Sequence, residues 1–534
     1  MNSIDKKDKQ RVTILIIIVI LSFLLRITGN NFGLPLWVHP DEDVVLLPAV
    51  HMAENATLIP DEYRRPNHIS IFFNFFVDNI VSLIFYKSRA HIVFQTHLSL
   101  FIIIGRTISA IIGTFCVVVA YFIGREFLPD FSIPAALCFA FFPPFVEHSH
   151  YITPEIVNLF FTLLLILFSI RYIKRNDQRL PYFVILLSAL NTLEKYPGLI
   201  SFVFPVLCIT IVEFKNRNNH TGMKKILQRL FIKWIQSFLL FLFFMYIISP
   251  SIFLNFRRTF KALVSESGAH MGMPILGWFG NIKYYVSMYQ QFAGFFCLVF
   301  LFAGLFFIIK NRNAKFVFMF YGALYCLLLS VVILHWERWA VPMYTTPLLI
   351  SSLGIAYVYE YFKHINKYLK YVAIFLTSLL LAAFISQSLY SDAKLRAPHT
   401  NMLALTYCKE HGITENNSMY SGYTPFRPDS PLPLLVDYDR FYSTPQYQYL
   451  MISSGVYQRF YNNKKLYHKE IASYDKIRSN LRCIKKIEPR IPLSSLYKGR
   501  IAELRIPFYI NSFIKMILER TMYCVGPTIE IYEK

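Results

Sequence analysis

The hydrophobic positions of this chain come in long unbroken runs, separated by short polar and basic turns. The runs cover residues 12–28, 97–123, 131–145, 156–170, 182–193, 198–212, 231–248, 292–309, 316–334, 341–359 and 371–389. Each reaches or approaches the length of a bilayer-crossing helix, so the pattern predicts eleven spans. Residues 69–86 are equally apolar but carry Asn74, Asp78 and Asn79, which suits a helix lying in or dipping into the outer interface. From Tyr390 onward the runs stop. The short stretches 449–453 and 528–532 read as strands, 474–487 as a basic helix of weak periodicity, and 501–518 as either. The expected fold is an α-helical polytopic membrane protein. A transmembrane module spans 1–389, with an outer loop at 29–96, and a small extracytoplasmic α/β domain spans 390–534.

Composition agrees with this reading. Hydrophobic residues make up 55% of the chain and charged residues 16%, and the mean hydropathy is +0.41, far from the balance of a soluble domain. The first run follows Lys6, Lys7, Lys9 and Arg11 and lacks a small-residue cleavage site, so it is expected to be retained. Of the eight cysteines, Cys116, Cys138, Cys208, Cys297 and Cys326 fall in apolar runs as packing residues. Cys408, Cys483 and Cys524 lie in the tail, where at most one disulfide can form.

The net charge of +22 does not point to nucleic acid, because the basic residues sit between apolar runs. With 69–86 not crossing, the turns at Arg125, Arg171–Arg179, Lys215–Arg229, Lys310–Lys315 and Lys363–Lys370 share the side of the basic N-terminus. That side is cytoplasmic by the positive-inside rule, and the protein is expected in the plasma (inner) membrane. The acidic and reactive stretches then all fall outside, together with the tail.

Three of these outer stretches carry chemistry. Asp41, Glu42 and Asp43 follow His39-Pro40 directly after the first span. A carboxylate there can serve as general base toward a hydroxyl or amine, and a carboxylate pair stabilises an oxocarbenium-like centre; alternatively the acids only cap a helix after Pro40. Glu147, His148, His150 and Glu155 surround a polar turn. Glu155 and His148 are the candidate ligands for a divalent metal such as Zn²⁺ or Mn²⁺, although no standard ligand spacing is present. No other cofactor is indicated. Lys195 and Arg338 end spans on the outer side, where each suits a phosphate group or snorkels to lipid headgroups.

Taken in order, these stretches resemble the bacterial GT-C membrane glycosyltransferases, the group similar to dolichyl-phosphate-mannose protein mannosyltransferases. The resemblance is carried by Leu34-Pro35 with His39-Pro40-Asp41-Glu42, by His148-Ser149-His150 through Thr153-Pro154-Glu155, by Glu194-Lys195-Tyr196-Pro197-Gly198, and by His335 to Pro342. Ser391-Asp392 and Gly526 to Tyr532 extend it to the tail. The chain departs from the usual pattern with Glu155 in place of Asp and Trp339 in place of Tyr. The resemblance implies an inverting glycosyltransferase that takes a sugar from a polyprenyl-phosphate donor in the outer leaflet and passes it to a glycan, lipid or protein acceptor. It implies Asp41 as catalytic base, with Glu42 as the second residue of the catalytic pair, positioning substrate or a metal. Glu155 would position substrate or a metal, and Lys195 and Arg338 would hold the lipid phosphate. His39, His150 and Tyr196 join the substrate-binding set. A transporter or flippase for lipid-linked saccharides is the alternative, but the internal repeats and midplane charges it calls for are not evident.

Overall fold

The computed structural model describes residues 2–217, 222–270, 276–333, 336–426, 436, 438–461, 464, 467–489 and 524–534. Two compact units emerge. The first holds the residues up to Asn30 and Asp41–Leu389; the second holds Asn31–Pro40 and the described residues from Tyr390 onward.

The first unit is helical throughout: α1 (Asn2–Ile27), α2 (Asp43–Glu54), α3 (His68–Val81), α4 (Ala90–Thr96), α5 (Leu98–Phe127), α6 (Ser132–Phe141), α7 (Pro143–Glu147), α8 (Pro154–Arg175), α9 (Leu180–Glu194), α10 (Val203–Lys215), α11 (Met223–Ile248), α12 (Ser251–Leu254), α13 (Phe256–His270), α14 (Gly277–Asn311), α15 (Tyr321–Ser330), α16 (Val341–Ile365) and α17 (Leu369–Arg396), the last of which continues into the second unit. Among the described residues nine helices are long and apolar enough to cross a membrane, or ten if the bent pair Pro129–Phe141 and Pro143–His150 is one span. The eleven spans expected from the sequence are not reproduced by that measure. Leu180–Glu194 and Ala314–Ser330 are shorter apolar helices, while His68–Tyr86, expected in the interface, is long enough to qualify. A 15-residue helix rises only about 22 Å against a hydrocarbon core of about 30 Å.

Breaks in the helices have local causes. Pro143 and Pro144 cannot extend α6, and the chain bends by 59° there. The buried C-terminal end of α6 is met by Arg26 of α1, which donates to the carbonyls of Phe139 (3.0 Å) and Ala140 (2.8 Å). A cation at a helix C-terminus is favoured by the helix dipole. In α14, Gly294 leaves helical geometry at φ 69°, a conformation open to glycine. Further along, Gly304 of α14 and Gly354 of α16 let the two backbones meet, because a methyl at either position would strike a carbonyl of the partner helix.

The bundle has two chemically distinct ends. At one, Asp8 of α1 pairs with Arg125 (3.2 Å), Lys174 of α8 bonds Glu126 (2.8 Å), and Lys315 donates to the Phe127 carbonyl (3.1 Å). The N-terminal helix and the basic turns after α5, α8 and α14 therefore share one end. Glu155 opens α8 and Lys174 lies in its last turn, which separates them by roughly 28 Å along the helix axis.

The second unit contains α18 (Thr400–Glu410), α19 (Tyr438–Ser443), α20 (Ser454–Tyr461), α21 (His468–Asn480) and a four-stranded sheet of β1 (Ser418–Tyr420), β2 (Tyr449–Ser453), β3 (Arg482–Ile487) and β4 (Ile529–Glu533). The order is β1-β2-β4-β3, with β1 parallel to β2 and the other pairs antiparallel. Both strands expected from sequence are present. The basic helix expected over 474–487 ends instead at Asn480, and Arg482–Ile487 forms the edge strand β3. Pairing with β4 supplies backbone hydrogen bonds that a weakly periodic helix could not outweigh, and the lysines on this edge suit an unpaired flank. Residues 501–518 lie outside the described set. Cys408, Cys483 and Cys524 are all free thiols.

Glu530 of β4 anchors this unit. It accepts hydrogen bonds from Arg478 (3.1 and 3.2 Å) and from the hydroxyls of Tyr457 (2.8 Å) and Tyr532 (2.5 Å). Burial pushes its carboxyl up, but Arg478 and the two hydroxyls outweigh that and hold it below the ordinary carboxylate range.

Candidate active site

The acidic stretch splits its two leading carboxylates between two tasks. Glu42, at the N-terminus of α2, turns inward and is fully buried. Arg106 of α5 meets it with a two-pronged bond, Nε to Oε1 at 2.8 Å and Nη2 to Oε2 at 2.9 Å, and donates Nη1 to the Asn30 carbonyl at 2.8 Å. Arg106 is likewise fully buried. Desolvation pushes the Glu42 carboxyl up, and the guanidinium opposes it. A buried pair of this kind holds a loop in one place, because neither charge tolerates losing the other.

With Glu42 anchored, Asp41 faces the other way, into a cavity of about 530 Å³. Its Oδ1 accepts from Arg65 Nη1 at 2.8 Å and its Oδ2 from Arg338 Nη1. Arg65 also donates Nε to Glu266 of α13 at 3.0 Å, and Arg338 lies over the ring of Trp336 at 5.7 Å. A second pair on the wall joins Lys195 to Glu155 at 2.9 Å. The rest of the wall is largely aliphatic and includes Leu199, Ile200, Leu263, Leu328, Leu329 and Val332. Guanidinium groups beside aliphatic walls suit an amphiphile with an anionic head.

The loop that carries Arg65 is pinned by the junction after α9. The Glu194 carboxylate accepts from the Ser70 backbone N–H at 3.0 Å and from its hydroxyl, capping the first turn of α3. The Glu194 carbonyl takes the Asn67 N–H at 3.1 Å, and the Tyr196 hydroxyl donates to the Tyr63 carbonyl at 2.8 Å. Glu194-Lys195-Tyr196 thus positions the Arg64-Arg65 loop while Lys195 and Tyr196 themselves line the cavity.

Of the residues singled out from sequence, Asp41, Glu155, Lys195, Tyr196 and Arg338 come together on the cavity wall. Glu42 lies behind it. His150 is buried and turned to backbone, its ring nitrogens 3.0 Å from the Val146 carbonyl and 2.9 Å from that of Thr28. His148 is buried beside Tyr151. His39 belongs to the second unit, and His335 lies outside the described residues. For a metal, Glu155 and His148 gather no third ligand among the described residues. The Lys195 ammonium already occupies Glu155, so this donor set does not fit a divalent cation. Sequence reasoning missed Arg64, Arg65, Arg106 and Glu266 as site residues. The one available signal was Arg106, a lone charge inside an apolar run.

Comparison with known proteins adds two findings. Residues 102–248 match the family model described as dolichyl-phosphate-mannose-protein mannosyltransferase, a match to little more than a quarter of the chain. The fold is shared with the oligosaccharyltransferase of Archaeoglobus fulgidus, solved in complex with Zn and sulfate, at TM-score 0.50 and 11% identity, over 98% of this chain and 88% of that one. ArnT from Cupriavidus metallidurans bound to undecaprenyl phosphate gives TM-score 0.49 and 12% identity over 85% of this chain and 95% of that one. No curated protein sequence matches. The chain is a multi-pass membrane protein that shares its fold with that oligosaccharyltransferase and carries a small C-terminal sheet.

Proposed function

We propose that this protein is an inverting glycosyltransferase that moves a sugar from a polyprenyl-phosphate donor to an acceptor at the outer face of the membrane. The observation that carries the reading is Asp41, a carboxylate held between two arginines in an aliphatic-walled cavity. The family-model match over 102–248 and the order of the motifs support the reaction class.

In this reading the donor is a phosphodiester monoanion whose head lies at Arg338, Arg65 and Lys195. An acceptor hydroxyl or amine attacks the anomeric carbon opposite the phosphate. The new bond forms as the anomeric carbon–oxygen bond breaks. The electron pair leaves on the lipid phosphate, which becomes a dianion, and the acceptor proton passes to Asp41. The cations stabilise the charge that gathers on the leaving phosphate. Glu42 and Arg106 fix the loop, and Glu155 orients Lys195. The cavity lies at the end of the bundle opposite Asp8–Arg125, and the basic turns at that opposite end favour the cytoplasm. Residues 1–389 then form the catalytic module and 390–534 an extracytoplasmic domain.

Asp41→Asn tests the assignment. It preserves shape and removes basicity, so transfer from a polyprenyl-phosphate sugar should fall on the order of 10²–10⁴-fold at unchanged expression and melting temperature. Parent-level turnover in a folded Asp41→Asn protein would remove Asp41 from the mechanism.

A further inference from the structure

We propose that Asp41 occupies, in the resting site, the two arginines that receive the donor phosphate, so that donor binding is an exchange in which the phosphate displaces the carboxylate from Arg65 and Arg338. This deepens the reading of the cavity as a lipid-phosphate site and rests on it.

The geometry points to exchange rather than simple addition. Both oxygens of Asp41 are engaged, one by each guanidinium. Carboxylate and phosphate oxygens compete for the same N–H groups in the same planar geometry. A donor head arriving between Arg65 and Arg338 therefore meets an internal anion already in place. Arg65 has a second carboxylate partner in Glu266, on its Nε, which keeps it oriented once Asp41 has left.

Charge balance gives the exchange a direction through the reaction. Donor and ionised Asp41 together carry two negative charges. After transfer the lipid phosphate carries two and Asp41, holding the acceptor proton, carries none. The transfer step itself leaves the total unchanged, and loss of the proton from Asp41 then raises it to three, which drives one anion off the two guanidiniums. A protonated Asp41 cannot compete for them, so product stays until Asp41 gives that proton to solvent water. The restored carboxylate then recombines with the arginines and releases the lipid phosphate. The device frees the base only when donor is present, which disfavours proton abstraction from an acceptor in an empty site.

The test is equilibrium binding of radiolabelled undecaprenyl phosphate to the full chain in nanodiscs, without acceptor. A ligand whose competent state is rarely populated loses apparent affinity by that fraction. Removing the internal competitor should therefore tighten binding, on the order of tenfold for Asp41→Asn. Asp41→Ser gives the same comparison without an amide. In an Arg65→Ala/Arg338→Ala background the further change Asp41→Asn should gain nothing. Equal or weaker binding by folded Asp41→Asn and Asp41→Ser overturns the exchange, as does a gain that persists without the arginines. The transfer assay separates this from the assignment of the base. Lost turnover with unchanged affinity keeps the base and removes the exchange. Retained turnover with tighter binding keeps the exchange and removes the base.

Discussion

Arg106 reaches Glu42 with two parallel hydrogen bonds of 2.8 and 2.9 Å, and neither side chain has any exposed surface. The pair links α5 to the start of α2, one residue after Asp41, and so sets where the catalytic candidate points. Arg106→Ala leaves a buried carboxylate without its partner and should cost about 3–5 kcal/mol. The double change Glu42→Gln/Arg106→Met removes both charges and should recover most of that loss. Thermal melting of the three purified proteins checks it; a double variant as unstable as Arg106→Ala would show that packing, not charge, sets the cost.

Arg338 offers a contrast between charge and geometry. Arg338→Lys keeps a cation but loses the planar fork, whereas Arg338→Ala loses both. Donor use, measured as kcat/KM for a polyprenyl-phosphate sugar, should fall further in the Ala variant. Equal, parent-like values in both would reduce Arg338 to an interfacial anchor beside Trp336.

The gathering of the N-terminal helix with the basic turns at one end of the bundle gives a topology prediction. In a Cys483→Ser background, which removes an exposed thiol, Lys409→Cys should react with an impermeant maleimide on intact cells. Lys224→Cys should react only after permeabilisation. The reverse pattern inverts the whole placement.

Glu530 makes the second unit sensitive to acid. Its folded-state pKa is depressed, so the stability it contributes is complete above the unfolded value of about 4.3 and is lost as pH falls through the lower folded value. Glu530→Gln should cost about 1–3 kcal/mol at neutral pH and flatten the acid limb of the melting-temperature profile. An identical acid limb in both proteins assigns that sensitivity to other carboxylates.

The sequence by itself determined that the chain is a bundle of membrane helices. An apolar run longer than a bilayer is thick has few other stable placements, and that property is local. It also determined the order of the motifs, and five of the site residues singled out in them converge on one cavity. The Pro143-Pro144 pair marked the break after α6, since a missing N–H acts on its own turn. Tertiary structure alone decided the partners. Asp41 meets Arg338 across 297 positions and Arg65 across 24, separations that no periodicity encodes. Arg106 announced that a buried charge needed a counter-charge, but only packing assigned that role to Glu42 and left Asp41 in the cavity. The turn of Arg482–Ile487 from helix to strand was likewise settled by β4, a neighbour distant in the chain, because a strand's hydrogen bonds are made by its partner and a helix's by itself.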